Sequence, residues 1–248
     1  MYTPESKVLI GLPSGSGFIP GYVVDGLYKM KRPCQTSLLI IERQQIDLAI
    51  NYLIEMAIRL EVDYFFLIND DGILPSNTLE LLLSDDKDIV GAPMMTRTER
   101  ENGKHSLCCF EKFDFYIGDG KTVKKYRSIT NWQKDDPEYL KPVDATGGSC
   151  LLIKRNCFEA LFTKHNGRPY EDIHEVHETM EHGVTVRNLS QDVVFCERAK
   201  EEGFQIYIDT RIRPIHLGKQ KMIRFQMEGE VLPDLKEPTK CITLSENL

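Results

Sequence analysis

The sequence has no basic excess, no C-x-x-C pair and no long apolar run. Its 31 Lys and Arg against 38 Asp and Glu leave a formal net charge of −7, the wrong sign for a chain that neutralises nucleic-acid phosphates over a broad face. No apolar stretch approaches the ~20 residues of a transmembrane helix. The opening residues, Met1 to Lys7, lack the basic and apolar segments of a signal peptide. The seven cysteines are odd in number and scattered, which suits buried thiols in a reducing compartment better than a disulfide framework or a zinc ribbon. A cytoplasmic globular protein is expected. Its 248 residues and 41% apolar content suffice for one large α/β domain, with or without a small appendage.

Two familiar site signatures are also missing. Ser14-Gly15-Ser16-Gly17 follows the first apolar run, but no Lys-Ser/Thr pair follows it, so it is not a P-loop. His165, His174, His177 and His182 gather in a polar stretch, yet His174-Glu175-Val176-His177 is one residue short of the H-E-x-x-H zinc helix. Residues 163–189 are therefore read as a solvated, mobile loop near the site.

What is present centres on Asp63-Tyr64-Phe65-Phe66-Leu67-Ile68-Asn69-Asp70-Asp71-Gly72. Apolar residues without alternation predict a strand covered on both faces, as in the middle of a parallel sheet. Ligands collect at the carboxyl ends of such strands, which puts Asn69, Asp70 and Asp71 at the rim of a crevice. Two carboxylates and an amide there suit a hard divalent cation that keeps open positions for phosphate oxygens.

Around this strand the pattern alternates. Residues 7–13 and 37–41 read as strands, residues 22–30 as a helix with Val23, Leu27 and Met30 on one face. A longer helix follows, with Ile46, Ile50, Leu53, Ala57 and Leu60 stepping by four and three. A short helix at 78–83 and a strand at 88–92 complete a right-handed, doubly wound α/β order. Regularity lapses over 94–141, where basic residues precede Phe110, Phe113, Phe115 and Tyr116, and Trp132 lies among polar neighbours. It returns at Thr146-Gly147-Gly148-Ser149, paired glycines entering a buried strand and able to let backbone approach a ligand. Ser190 is placed as the N-cap of a helix carrying Asp192, and residues 205–209 as a strand leading to His216.

Four segments then resemble, in order, the motifs of GT-A-type glycosyltransferases, family 2-like enzymes that use nucleotide-diphosphate sugars. They are Asn69-Asp70-Asp71 after the apolar strand, Thr146-Gly147-Gly148-Ser149, Gln191-Asp192 with Arg198 and Gly203 downstream, and His216-Leu217-Gly218. The resemblance covers residues 7–218 and implies a single GT-A domain: a Rossmann-like, mostly parallel sheet with helices on both faces. It implies an acceptor-side insertion at 94–141 and a tail or lid at 219–248. By resemblance Asp71 and His216 hold Mn²⁺ or Mg²⁺, and Asn69 replaces the motif's first aspartate, with Asp70 beside it. Pro13, Ser14, Arg43 and Asp47 would contact the nucleoside, Gly147 and Gly148 would border the donor sugar and acceptor, and Lys219, Lys221 or Arg224 would assist the diphosphate charge. Asp192 would be the base of an inverting transfer to a hydroxyl acceptor, and as a carboxylate at a helix N-terminus it is expected to stay ionised. The donor implied is a nucleotide sugar, with UDP favoured. Two other readings stay open, a sugar nucleotidyltransferase and a non-catalytic nucleotide- or glycan-binding relative.

Overall fold

The computed structural model of the chain describes residues 1–99, 105–118, 121–129, 132–133, 136–179, 183–218 and 222–224. In chain order the first half runs β1 (Lys7–Ser14), α1 (Gly21–Lys29), β2 (Gln35–Glu42), α2 (Ile46–Arg59), β3 (Tyr64–Ile68), β4 (Gly72–Ile73), α3 (Thr78–Ser84) and β5 (Ile89–Gly91). There follow β6 (Met95–Glu99), β7 (His105–Leu107), β8 (Cys109–Gly118), β9 (Lys121–Ser128), β10 (Leu140–Val143), β11 (Ala145–Thr146), β12 (Cys150–Lys154) and α4 (Arg155–Lys164). The chain then passes through β13 (Ile173–Thr179), β14 (Gly183–Leu189), α5 (Gln191–Glu201), β15 (Ile206–Asp209), β16 (Ile215–Leu217) and β17 (Met222–Arg224).

The central sheet has seven strands in the order β10-β15-β5-β12-β3-β1-β2. Strands β2, β1, β3, β5 and β15 point one way, whereas β12 and β10 run against them. This is the doubly wound, mostly parallel α/β architecture expected. The strand that opens the argument, β3, is buried along its whole length, but its neighbours are parallel β1 and antiparallel β12 rather than two parallel strands. An unbroken apolar run reports burial on both faces and carries no direction, so the reversal of β12 had no signature.

The alternation along β3 divides the core. Phe65 and Leu67 join Leu9 and Ile153 under α2, α4 and α5, where Ile50, Leu53, Ala57, Phe158, Leu161 and Phe195 close the layer. Tyr64, Phe66 and Ile68 face the other way, with Ile10 and Leu152, against Val23 and Leu27 of α1 and Leu79, Leu82 and Leu83 of α3. Of the predicted stripe of α2, Ile50, Leu53 and Ala57 are buried, Ile46 is partly buried, and Leu60, beyond the last turn, is exposed.

Two regions differ from expectation. Within 163–189, expected as a loop, the described residues hold the end of α4 at Lys164 and a hairpin in which β13 pairs with β14 from Ile173↔Leu189 to Thr179↔Gly183. The hairpin went unread because the apolar residues of β13, Ile173 and Val176, are few and not spaced by two. The tail begins later than residue 218, since Met222–Arg224 pairs with β16. Between β5 and β10 the irregular insertion resolves into two hairpins, β6–β7 and β8–β9, and Trp132 packs against the α2/α4/α5 side of the core.

Candidate active site

The register of the sheet brings the site to one edge. Ile68 is level with Cys150 across the β3–β12 pair, and Gly11 is level with Leu67 across β1–β3. Residues after β1 and β3 and residues before the reversed β12 therefore emerge together. Ser14, at the end of β1, donates from Oγ to Asp70 Oδ2 at 2.6 Å. Asn69 Nδ2 donates to Ser149 Oγ at 3.0 Å. These two bonds lace the Asn69-Asp70-Asp71 turn to both neighbouring strands and leave Asp71 to face the cleft.

Asp71 is the electrostatic centre. Its Oδ2 lies 2.9 Å from an Arg97 guanidinium nitrogen and 3.2 Å from His216 Nε2, and its Oδ1 is buried with no hydrogen-bond partner. Burial raises the carboxyl pKa, but the His216 hydrogen bond and charge, then Arg97, outweigh it and hold the group below its ordinary range. His216 reaches this position because β16 pairs with β4, which places it opposite Gly72. Its other ring nitrogen, Nδ1, is 2.5 Å from the Met95 carbonyl oxygen, which can only accept, so Nδ1 carries the proton. Nε2 is left facing the Asp71 carboxylate, where a proton on the ring or a metal ion would satisfy both atoms.

These residues fit a divalent cation. A carboxylate with an unpartnered oxygen and an imidazole oriented through a backbone carbonyl are the usual makings of such a site. Among the described residues no third His, Cys, Asp or Glu converges on them, so the remaining ligands would be phosphate oxygens and water, as Mg²⁺ and Mn²⁺ favour. Asp70, which might have replaced the missing first aspartate, is turned instead toward Ser14.

Asp192 opens α5 on the opposite wall. The Gly148 N–H donates to its carboxylate, and a Cβ built at Gly148 would sit 2.7 Å from Asp192 Oδ1, so only glycine allows this approach. Ser190 occupies the N-cap position but makes no side-chain cap bond; Asp172 Oδ1 accepts from the Gln191 N–H at 2.8 Å and caps the helix from outside it. The carboxyl is harder to ionise than its place at a helix N-terminus alone implies. Burial pushes Asp192 up to about 6, with Asp172 adding to the rise and the Gly148 N–H opposing it. Enclosure outweighs the favourable helix terminus.

Asp192 and Asp71 lie within electrostatic reach of one side chain: burial raises the Cys108 thiol to about 12, and both carboxylates add to the rise while Arg97 opposes it. Cys108 also limits Gly147, whose built Cβ would lie 3.3 Å from the Cys108 Cβ. Behind α5, Arg198 donates to the Arg168 and Pro169 carbonyls and pairs with Glu171 at 2.8 Å, fixing the segment that supplies Asp172. Arg198 of the sequence motif is thus a structural brace.

The other predicted residues divide. Pro13 is buried within β1, as its place in the first strand implied, and the strand runs one residue further to Ser14. Arg43 adopts φ 57°, donates its N–H to the Ser14 carbonyl at 2.8 Å, and lays its side chain along Gly17. Asp47, in the first turn of α2, is 4% exposed, with Oδ1 unpartnered. Lys219 and Lys221 lie outside the described residues. Arg97, Asp172, Cys108 and Ser149 had no role assigned from sequence. Only Ser149 had a signal, its place beside the paired glycines.

No protein-family model and no curated protein matches the chain. Among solved structures it is similar to A197 from STIV, at 14% identity over 93% of this chain and 98% of that one, with a TM-score of 0.48. It is also similar to a UDP-glucose pyrophosphorylase in complex with UDP-glucose, at 11% identity over 89% and 92% of the two chains and a TM-score of 0.38. A Bacillus anthracis protein described as a glucose-1-phosphate thymidylyltransferase is similar at 10% identity over 67% and 79%, with a TM-score of 0.32.

Proposed function

We propose that the chain is a metal-dependent glycosyltransferase that moves a sugar from a nucleotide-diphosphate donor, UDP-sugar favoured, to a hydroxyl acceptor. The observation that carries this reading is the pairing of two unlike carboxyl environments across one cleft. Asp71 is held ionised by cations, whereas Asp192 is enclosed and raised to about 6. Groups pushed apart in this way divide into a charge-bearing role and a proton-accepting role.

In this mechanism Asp71 and His216 would hold Mn²⁺ or Mg²⁺, which supplies charge stabilisation for a departing nucleotide diphosphate. Ser14, Asn69 and Asp70 would steady the Asp71 turn, and Arg43, whose side chain lies along Gly17 after β1, would meet the nucleoside; Asp47 is buried in the first turn of α2. Asp192 receives the acceptor hydroxyl proton on a carboxylate oxygen. A base with pKa near 6 is mostly ionised at neutral pH yet basic enough to accept that proton. The acceptor oxygen that loses this proton would attack the anomeric carbon from the face opposite the nucleoside diphosphate, which leaves as the bond forms, so that the transfer inverts. The Gly147-Gly148 turn excludes bulk between the two walls.

One observation favours a second reading, a sugar nucleotidyltransferase. That chemistry needs a cation at the glycine-rich loop, and although the loop has none of its own, Arg43 lies along Gly17. Thermal melts with UDP, GDP, dTDP and CDP sugars, each with Mn²⁺ and with EDTA, identify the donor class by its stabilisation of the native state. Product analysis then decides. Release of nucleoside diphosphate supports transfer, release of pyrophosphate from a nucleoside triphosphate and sugar phosphate supports the second reading, and metal-independent binding without turnover supports a non-catalytic relative.

A further inference from the structure

Arg97 holds the place where a cation is needed. Its guanidinium is 2.9 Å from Asp71 Oδ2, and its side chain is 60% exposed while that of Asp71 is 13% exposed. It projects from β6, the strand whose Met95 carbonyl orients His216. One short strand therefore sets the imidazole and neutralises the carboxylate beside it. An exposed arginine on a flexible stem can leave this pair at small cost, because such pairs gain little net energy.

The charges make the exchange specific. With Arg97 in place, Asp71 is already balanced. A divalent cation entering alone would meet the guanidinium at close range, leaving an uncompensated positive cluster in a partly enclosed cleft. A nucleotide diphosphate brings the negative charge that both cations require, and a guanidinium pairs with phosphate oxygens in a fixed fork.

We propose that Arg97 is the resident counter-ion of Asp71 in the free protein and moves to the donor diphosphate when the metal ion takes its place. Metal and nucleotide therefore bind cooperatively, and free metal ion alone binds weakly. This rests on the metal-dependent reading above and adds a residue that sets the order of binding.

The test measures Mn²⁺ binding to the full chain from the loss of the free-ion electron paramagnetic resonance signal, with and without UDP. The expected result is that Arg97→Gln binds Mn²⁺ alone about tenfold more tightly than the wild type, within the usual range of coupling between sites. UDP should tighten Mn²⁺ binding strongly in the wild type and much less in Arg97→Gln. Arg97→Lys keeps the charge and should stay close to the wild type without UDP. If Arg97→Gln without UDP matches or falls below the wild type, the exchange is overturned while the metal site stands. A tenfold gain in Arg97→Lys overturns it too, since charge would not be the cause, and this variant serves if the glutamine form does not fold. If no form binds Mn²⁺ even with UDP, the metal-dependent reading itself fails.

Discussion

Replacing Asp192 by Asn should make the protein more stable at pH 8 and almost inactive. The carboxyl rises from an ordinary 3.8 to about 6 in the fold, roughly two pH units, and each unit is worth about 1.4 kcal/mol between protonation states. The sign follows from linkage. A raised folded-state value means that the stabilising contribution is complete below the unfolded value and is lost as pH rises from about 4 through about 6. Above pH 7 the enclosed carboxylate therefore costs up to about 3 kcal/mol relative to its neutral form. Asparagine is neutral and nearly isosteric, and its Oδ1 can still accept from Gly148. Its amide N–H groups recover some of that cost by needing partners, leaving a gain of about 2 kcal/mol. For a chain of this size that corresponds to a melting temperature roughly 4 to 8 °C higher at pH 8. The gain should fade toward pH 4.5, where the wild-type carboxyl is protonated. Over the same series transfer should fall by about 10² to 10⁴, the usual worth of a general base, and wild-type kcat/KM should decline below pH 6. A variant that is less stable than wild type at pH 8, or whose advantage does not vary with pH, would refute the account of an enclosed carboxylate. Surviving transfer would refute its role as base.

Three further changes test other parts of the cleft. Asp71→Ala should abolish the Mn²⁺-dependent thermal stabilisation by UDP, worth about 2.7 kcal/mol at a hundredfold excess over Kd, and an unchanged shift would remove Asp71 from the metal site. Gly148→Ala puts a methyl group 2.7 Å from Asp192 Oδ1 and 3.1 Å from Leu67 Cδ2. It should lower kcat about 10²-fold through misplacement of the base while UDP affinity holds, whereas equal losses in kcat and affinity would point to general distortion. Asn51→Ala removes a buried side chain that donates to the Tyr170 carbonyl at 2.8 Å and accepts from its N–H at 3.0 Å. Two stranded backbone groups should cost about 3 kcal/mol, read as a lower urea midpoint, and a midpoint within error of wild type would show that the loop repacks.

How much of this was legible follows from the range of each cause. The α2 stripe of Ile50, Leu53 and Ala57 and the apolar core of β3 are local patterns, and both were found where expected. The turn Asn69-Asp70-Asp71 likewise follows β3 directly. Distant partners were invisible. Asp172 caps α5 from 19 residues away, so a serine in the conventional position looked sufficient. Helix-terminus logic assigned Asp192 an easy charge, and nothing in the sequence showed that Gly148 and the surrounding core would enclose it. Arg97 stood in an irregular stretch, and only folding of β6 beside β16 brings it to Asp71.

The reversal of β12 bears on how the molecule comes into being. The contact between Asn69 and Ser149 spans 80 positions of sequence, and that between Ser14 and Asp70 spans 56. Contacts of such long separation are slow to form, because the closure entropy comes before the reward. The helices can gather early from nearby residues, but the cleft cannot exist until a strand from the second half of the chain has inserted between β3 and β5. A chain cut before β12 would keep the β2-β1-β3 pairing but lose the Ser149 contact to Asn69 and the wall that carries Asp192.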